Sequence, residues 1–329
     1  MGKEVIAAAK AQEEMKVFFQ LYKRYPEIAT AEALEVIKGK KIALVGNEIL
    51  VAEAKSLCFS RLGFSRAVFE FLFACDKKQL GGKIATFNWQ EHYKKSFKVT
   101  CHHVDACIQL AIARQVGEKI RNSKAEMKKP RTWFHFFFVN NKVIAGKLLW
   151  QNNEDFESRK VHMWPAPHPT GTHPQLARAM INLTGIRRGV IVDPFCGAGG
   201  ILIEAGLMGL MPVGYDINQE LLEKAAKNLV GYGIRRFKLQ RKNALALGRV
   251  KYVVADLPYG RNTPPKGLEG LYAGFLARLK QVLKCKAVLG FPSTVNHKLL
   301  IRKAGLKVLN EFSWEINRRL KKNIVVVTP

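Results

Sequence analysis

The sequence predicts an α/β protein, with a doubly wound parallel sheet in its C-terminal domain and two smaller α+β domains before it. Three observations carry that reading. The first 75 residues run strand, helix, strand, strand, helix, strand. Residues 175–329 alternate strand and helix, and a glycine-rich turn follows the first strand of that alternation.

The N-terminal elements follow from local pattern. MKVFFQLYK (15–23) is apolar and aromatic, as strands are. Pro26 opens EIATAEALEVIKG, where Ile28, Ala31, Leu34 and Ile37 recur at helical spacing until Gly39. KIALVGNEILVAEA (41–54) is two β runs meeting at Gly46-Asn47, a hairpin signal. KSLCFSRLG reads as a short helix and SRAVFEFLFAC (65–75) as a strand. The resulting βαββαβ order is ferredoxin-like.

The polar stretch CDKKQLGGK predicts a boundary near residue 76. Beyond it SFKVTC reads as a strand and VDACIQLAIARQVGEKIRN (104–122) as a helix. Val104, Cys107, Ile108, Ala111, Ile112 and Val116 share one face of that helix. SKAEMKKPR is a basic loop, and WFHFFFVNNKVIAGKLLWQ is a hairpin turning at Asn140-Asn141. Its aromatics alternate too little for a base-stacking platform, which predicts a buried strand. NNEDFESRKVHMWPAPHPTGTHP (152–174), rich in Pro, His and polar residues, predicts a linker able to close over a site.

In the C-terminal part the strands are GVIVDPF, MPVGYDI, FKLQRKN, KYVVADLP and KAVLGFP. The helices between them include ILIEAGLMG, LLEKAAKNLVG and EGLYAGFLARLKQVL. Two final β runs, LKVLNEFSWEI and NIVVVTP, are joined by the basic turn NRRLKK. The alternation calls for a parallel, Rossmann-like sheet with helices on both faces, and the closing hairpin adds one antiparallel strand. The expected domains are therefore 1–75, 76–151, a linker at 152–174, and 175–329.

Charge narrows the partner. Lys and Arg number 54 against 26 Asp and Glu, a formal net charge of +28. Residues 1–160 hold 28 and 17, and residues 161–329 hold 26 and 9, so the excess is not confined to a tail. Two basic folded halves point to a broad polyanion surface, for which nucleic acid is the usual partner. No run of about 18 apolar residues predicts a membrane span, and the acid-bearing N-terminus lacks a signal-peptide core. Ile6 stands where a myristoylation pattern needs Ser or Thr. The six cysteines include no CxxC pair, which suits a reducing, cytoplasmic compartment. Cys101-His102-His103 with Cys107 lacks zinc spacing and predicts packing, and no metal is expected.

Asp193-Pro194-Phe195-Cys196-Gly197-Ala198-Gly199-Gly200 lies between the first strand and helix of the C-terminal part. Glycines there permit a tight turn and close approach of a ligand. A dinucleotide fingerprint would need glycine at 202, which is Leu202, so an adenosylmethionine loop fits better than a pyrophosphate cradle. Asp216 ends the second strand, in place to accept hydrogen bonds from ribose hydroxyls; the competing role is a helix N-cap. Asn243, at the end of the third strand, could read an adenine amino group or simply serve a turn. Cys196 sits inside the cofactor loop, a poor place for a base nucleophile, and is assigned to packing.

The fourth strand ends Ala255-Asp256-Leu257-Pro258-Tyr259-Gly260. In a doubly wound sheet this point lies beside the first strand, over the carboxyl-end crevice. An exocyclic base amine is a poor nucleophile because its lone pair is delocalised into the ring. Asp256 and the Leu257 carbonyl could accept its two N–H bonds and favour a more tetrahedral nitrogen. Pro258 fixes φ and so points that carbonyl, and Tyr259 can stack the base. A bare strand-to-turn corner is the competing reading, weakened by the glycine loop one strand away.

At these residues the chain resembles the THUMP-domain RNA methyltransferases, most closely the archaeal tRNA guanine-10 N2-methyltransferase type. YPEIATAEALEVI resembles that family's opening helix. HPTGTHPQLARAMINL, DPFCGAGGILIEAGLMG and DLPYGRNT resemble its catalytic blocks in order. The resemblance implies a ferredoxin-like domain, a THUMP domain that grips the tRNA acceptor end, a linker and a class I methyltransferase domain. It implies S-adenosyl-L-methionine as cofactor, held by Asp193, Pro194, Cys196, Gly197, Gly199, Asp216, Ile217, Asn243, Ala244 and Asp256. Asp256, Leu257, Pro258 and Tyr259 would be the amine-methylation motif. His168, Tyr259, Arg261 and Asn262 are assigned to substrate, and Lys128, Lys129 and Arg131 to the tRNA grip from charge and position. Leu257 stands where the commonest form of the motif has proline, and Asn243 where an acid is common.

The motif does not choose between guanine N2 and adenine N6, nor between tRNA and ribosomal RNA. A non-catalytic RNA-binding protein is the reading from another class, and the intact Asp256 and glycine loop argue against it. A thiouridine synthetase would need an SGG-type ATP loop, which the chain lacks. No obligatory protein partner is implied. Because many Lys and Arg would displace counterions, tRNA affinity should fall steeply with salt, about 10³-fold or more between 50 and 200 mM. A filter-binding series giving a flat response would remove the broad-surface argument.

Overall fold

The computed structural model describes residues 14–169, 171–259, 265–317 and 320–329, which fall into two compact units. The N-terminal unit takes the described residues up to Pro26, with Ile37–Ser60 and Ser65–Asn152. The C-terminal unit takes Glu27–Val36, Arg61–Phe64 and Asn153–Pro329.

In chain order the first unit carries β1 (Met15–Leu21), then α1 (Pro26–Ile37), whose residues 27–36 belong to the second unit. β2 (Lys40–Val45), β3 (Ile49–Ala54) and β4 (Ser65–Asp76) follow, then α2 (Leu80–Thr86), α3 (Trp89–His92), β5 (Phe97–His102), α4 (Ala106–Glu118), β6 (Thr132–Val139) and β7 (Lys142–Gln151). All seven strands share one sheet in the order β2-β3-β1-β4-β7-β6-β5. The first four have the ferredoxin-like order. β4, however, pairs with β7 from Ala67↔Gln151 to Asp76↔Lys142, so the expected boundary near residue 76 does not separate two sheets. β4 is 12 residues long and pairs on both sides, with β1 as well as β7.

β6 is buried on both faces. Phe134, Phe136 and Phe138 join Phe73, Trp89, Val99 and Val116, while Phe137 and Val139 join Phe18, Phe69 and Ile144. That explains an almost unbroken aromatic run with no period of two. The stretch after residue 76 is not a bare boundary: α2 and α3 form there although Gly81-Gly82 weakens helix propensity. Burial of Leu80, Ile84 and Trp89 outweighs the glycines, and Trp89 Nε1 donates to the Ile84 carbonyl at 2.9 Å. His102 Nε2 lies 2.9 Å from His135 Nδ1, and burial pushes His102 down to about 4. Cys107 is exposed rather than packed.

The second unit is built on β8 (Val190–Asp193), β9 (Met211–Asp216), β10 (Lys238–Arg241), β11 (Val250–Asp256), β12 (Leu283–Pro292), β13 (Lys307–Asn317) and β14 (Leu320–Thr328). Their order is β10-β9-β8-β11-β12-β14-β13, with β14 antiparallel to both of its neighbours. The predicted parallel sheet and its one antiparallel strand are both present. Helices α6 (Gly200–Leu207), α7 (Gln219–Gly231) and α8 (Pro265–Val282) fall where expected. α5 (Pro174–Leu183) and α9 (His297–Lys303) add to them.

The segment expected as a linker is packed into this unit. Phe156, Arg159 and Trp164 are buried. Arg159 Nε donates to Glu204 Oε1 at 2.6 Å, and Arg178 Nε to Glu204 Oε2 at 2.9 Å. Glu154 accepts from both arginines, so two cations meet two anions. Burial of these charges is tolerable because every member is paired.

KSLCFSRLG forms only a 3-10 turn, Phe59–Arg61, instead of the expected helix. The backbone N–H groups of Gly63 and Phe64 donate to Glu32 at 2.8 Å each, not to a helical carbonyl. A helix so short has little stability of its own to compete. Asn182 Nδ2 donates to the same carboxylate at 2.7 Å, tying α1 and residues 61–64 to α5. Glu32→Ala strands these buried donors and should cost at least about 2 kcal/mol, read as a lower urea midpoint. An unchanged midpoint would show that the carboxylate is not the tie.

Candidate active site

The glycine turn after β8 is shaped by backbone conformation that side chains resist. Gly197 has φ +50° and Gly199 φ +94°, the latter capping the start of α6. A Cβ on Gly199 would meet Ala225 Cβ at 3.2 Å, whereas one on Gly197 would meet nothing within 4 Å. The turn is therefore tight against α7 at Gly199 and open at Gly197. Asn228 of α7 is fully buried and stitches the turn to the preceding strap: its Nδ2 donates to the Ala198 and Ala166 carbonyls, and its Oδ1 accepts from Ala166 N. A Cβ on Gly200 would touch the Trp164 ring at 3.0 Å, so the strap lies directly on the turn.

Two acids frame this turn. Asp193 is 2% exposed and accepts from Phe195 N at 3.0 Å. Burial pushes its carboxyl well above the ordinary range, and the neighbouring Asp256 and Asp216 push it the same way. Asp216 Oδ2 accepts from Gly197 N and Oδ1 from Asn218 N, each at 2.9 Å. The cap of α7 is Asn218, whose side chain accepts from Glu220 N at 2.9 Å, and not Asp216. Ile217, 67% exposed, and Leu245, 41% exposed, present apolar surface beside Asp216 and Asn243 in the chain. Asn243 Oδ1 accepts from Leu245 N at 2.9 Å and so serves the turn beginning at buried Ala244. Cys196 is buried, and burial with Asp193 and Asp216 nearby drives its thiol far up, so it stays protonated at neutral pH.

Asp256 ends β11, and β11 lies next to β8 in the sheet. Its carboxylate is held by three donors from three parts of the chain. Thr172 Oγ1 donates to Oδ2 at 2.8 Å, Lys322 Nζ pairs with the same oxygen, and the Tyr259 hydroxyl donates to Oδ1 at 2.9 Å. Burial, then Asp256, pushes the Tyr259 phenol up, so it keeps its proton. The chain after Asp256 is anchored on either side of the Leu257 carbonyl: Leu257 N donates to the Gly290 carbonyl at 2.9 Å, and the Tyr272 hydroxyl donates to the Pro258 carbonyl. Asp256 pairs in register with Gly290 of β12, where a Cβ would stand 2.7 Å from Asp256 Oδ1.

Thr172 and Lys322 escaped the sequence reading. Lys322 had a signal: it shares the alternation of buried Ile324 and Val326, so a charge falls on an inward position. Thr172 had none beyond its place before α5. Of the other expected residues, half-buried His168 lies in the segment before α5, where its carbonyl accepts from Gly171 N. Arg261 and Asn262 lie outside the described residues. Lys128, Lys129 and Arg131 are exposed on the loop before β6, in the N-terminal unit.

A family model described as an RMKL-like methyltransferase domain matches residues 162–322, and one described as a DNA methylase matches residues 29–227. The chain is 31% identical to the tRNA (guanine(10)-N2)-dimethyltransferase of Methanothermobacter thermautotrophicus, over 80% of this chain and 84% of that one. It is 28% identical to the protein of the same name from Pyrococcus abyssi, over 92% of this chain and 96% of that one. The crystal structure of TrmN from Thermus thermophilus shares the fold, with a TM-score of 0.50 at 17% identity over 95% of this chain and 99% of that chain.

The Gly290 contact yields a test of this geometry. Gly290→Ala should displace the Asp256 carboxylate and lower turnover about tenfold or more, since small misplacements of reacting groups are costly. Cofactor should still bind, measured by calorimetry, because the glycine turn is untouched. Normal turnover in this variant would show that Asp256 tolerates displacement.

Proposed function

The chain belongs to the family of the tRNA (guanine(10)-N2)-dimethyltransferases, and from that footing we propose that it methylates the exocyclic N2 of guanine 10 in tRNA. The cofactor is S-adenosyl-L-methionine, which when bound supplies an electrophilic methyl group. The chain's residues suit it. The turn is open over Gly197, Asp216 can accept hydroxyl hydrogen bonds with its remaining lone pairs, and exposed Ile217 and Leu245 offer apolar surface to a purine. Asp193, buried beneath the turn, shapes it through Phe195 N.

The observation that carries the reading is the placement of Asp256. It ends the strand beside β8, the strand that leads into the glycine turn, at the point where strand order reverses. Its carboxylate accepts one N–H of the base amine, and the Leu257 carbonyl accepts the other. The bonds at Leu257 N and Pro258 O hold that carbonyl's peptide rigid, which supplies stiffness where Leu257 replaces proline. Tyr259 stacks the base. In the N-terminal unit, Lys128, Lys129 and Arg131 grip the tRNA backbone as part of a THUMP domain. Among the described residues no helix is long and apolar enough to cross a membrane, and work on tRNA in the cytoplasm completes the proposal.

The test is methylation of an unmodified tRNA transcript, with nucleoside mass spectrometry and mapping of the modified position. N2-methylated guanosine at position 10 is expected, and Asp256→Ala should lower the rate about a hundredfold or more while cofactor still binds. Methyl groups on adenine N6, or near-normal activity of Asp256→Ala, would overturn the assignment.

A further inference from the structure

Lys322 is 4% exposed on β14, where Ile324, Val325, Val326 and Val327 are buried beside it on the strand. A buried ammonium is costly unless paired, and its partner here is the Asp256 carboxylate. Lys322 also lies over the Tyr259 ring, 5.5 Å from its centre. It therefore pairs with the carboxylate assigned to the base amine and lies over the ring assigned to stack the base. Nothing in the packing of β14 calls for a charge, since Ile324 and Val326 occupy the same face.

We propose that Lys322 is a positioning residue that keeps Asp256 ionised and oriented as a hydrogen-bond acceptor for the base amine. The inference rests on the methyl-transfer reading above. An ionised carboxylate has about four lone-pair sites. Lys322 and Thr172 load Oδ2, and Tyr259 takes one site on Oδ1. Among the described residues no donor takes the remaining site on Oδ1, which is the site proposed for an amine N–H. A protonated carboxyl would donate to the nitrogen instead and occupy the lone pair that must attack. Asp193 from β8 and Asp216 from β9 face the same region, and after burial the nearness of Asp256 and Asp216 helps push Asp193 up. Tyr259 and Tyr272 also face Asp256 and remain neutral, with Tyr272 pushed up to about 12 by burial and by Asp256. Among the described residues, Lys322 from β14 is the cation in direct contact with Asp256.

The experiment compares pH–rate profiles of the full chain carrying Lys322 with Lys322→Met and Lys322→Arg, using tRNA transcript and saturating cofactor. Lys322→Met removes the ammonium paired with Asp256, so the acid limb of its profile should move up by about 1 to 3 pH units. Activity should recover at alkaline pH, cofactor affinity should stay within about twofold, and Lys322→Arg should keep the original limb. An unmoved limb in an active Lys322→Met protein, or a loss that is the same at every pH, would overturn the proposal. Absence of methyl transfer by the unsubstituted chain would instead overturn the functional reading itself. If Lys322→Met does not fold, adding Asp256→Asn removes the unpaired anion and should restore folding. Equal instability of the single and double variants would show that Lys322 does not act through Asp256.

Discussion

The parallel neighbours β8 and β11 carry most of the weight in this molecule. Strand order reverses between them, so the loops at their carboxyl ends leave in opposite directions and open a crevice. One loop is a glycine turn with backbone in conformations closed to most side chains, and the other is an acid followed by an anchored peptide. Each is ordinary in isolation. Side by side, they bring a turn open at Gly197 and the Asp256 carboxylate within one strand spacing.

That arrangement concentrates negative charge. Asp193, Asp216 and Asp256 stand at the ends of three strands, and mutual repulsion is part of the cost of the site. The structure answers with specific donors: backbone N–H groups for Asp193 and Asp216, and Lys322, Thr172 and Tyr259 for Asp256. The same logic of complete pairing recurs away from the site, where Arg159 and Arg178 bind Glu154 and Glu204 and hold the strap in place. Thr172 reaches Asp256 from that strap. The buried ion network is thus a foundation for the site, not a separate feature.

Much of this was legible in advance because local pattern and chain order carry it. The seven C-terminal strands, the glycine turn and the D-L-P-Y corner were all readable from period, composition and spacing. The failures share a cause. α2 and α3 are weak local sequences stabilised by burial, and residues 55–63 are a plausible helix whose backbone donors near the end are taken by Glu32. In each case a distant or neighbouring partner outweighed a modest local preference.

By itself the sequence determined the class of fold, the family, the order of the motifs and the identity of the acid at the fourth strand. These depend on hydrophobic period, on residues with special backbone freedom, and on spacing along the chain. Tertiary structure alone decided that residues 27–36 join the C-terminal unit, that residues 153–169 pack into that unit as a strap, and that Lys322 and Thr172 meet Asp256. Those outcomes pair groups 84 and 66 residues away from the carboxylate along the chain. Such partners are selected by the cost of leaving a buried charge or donor unmatched, a cost that exists only once the sheet has closed over it.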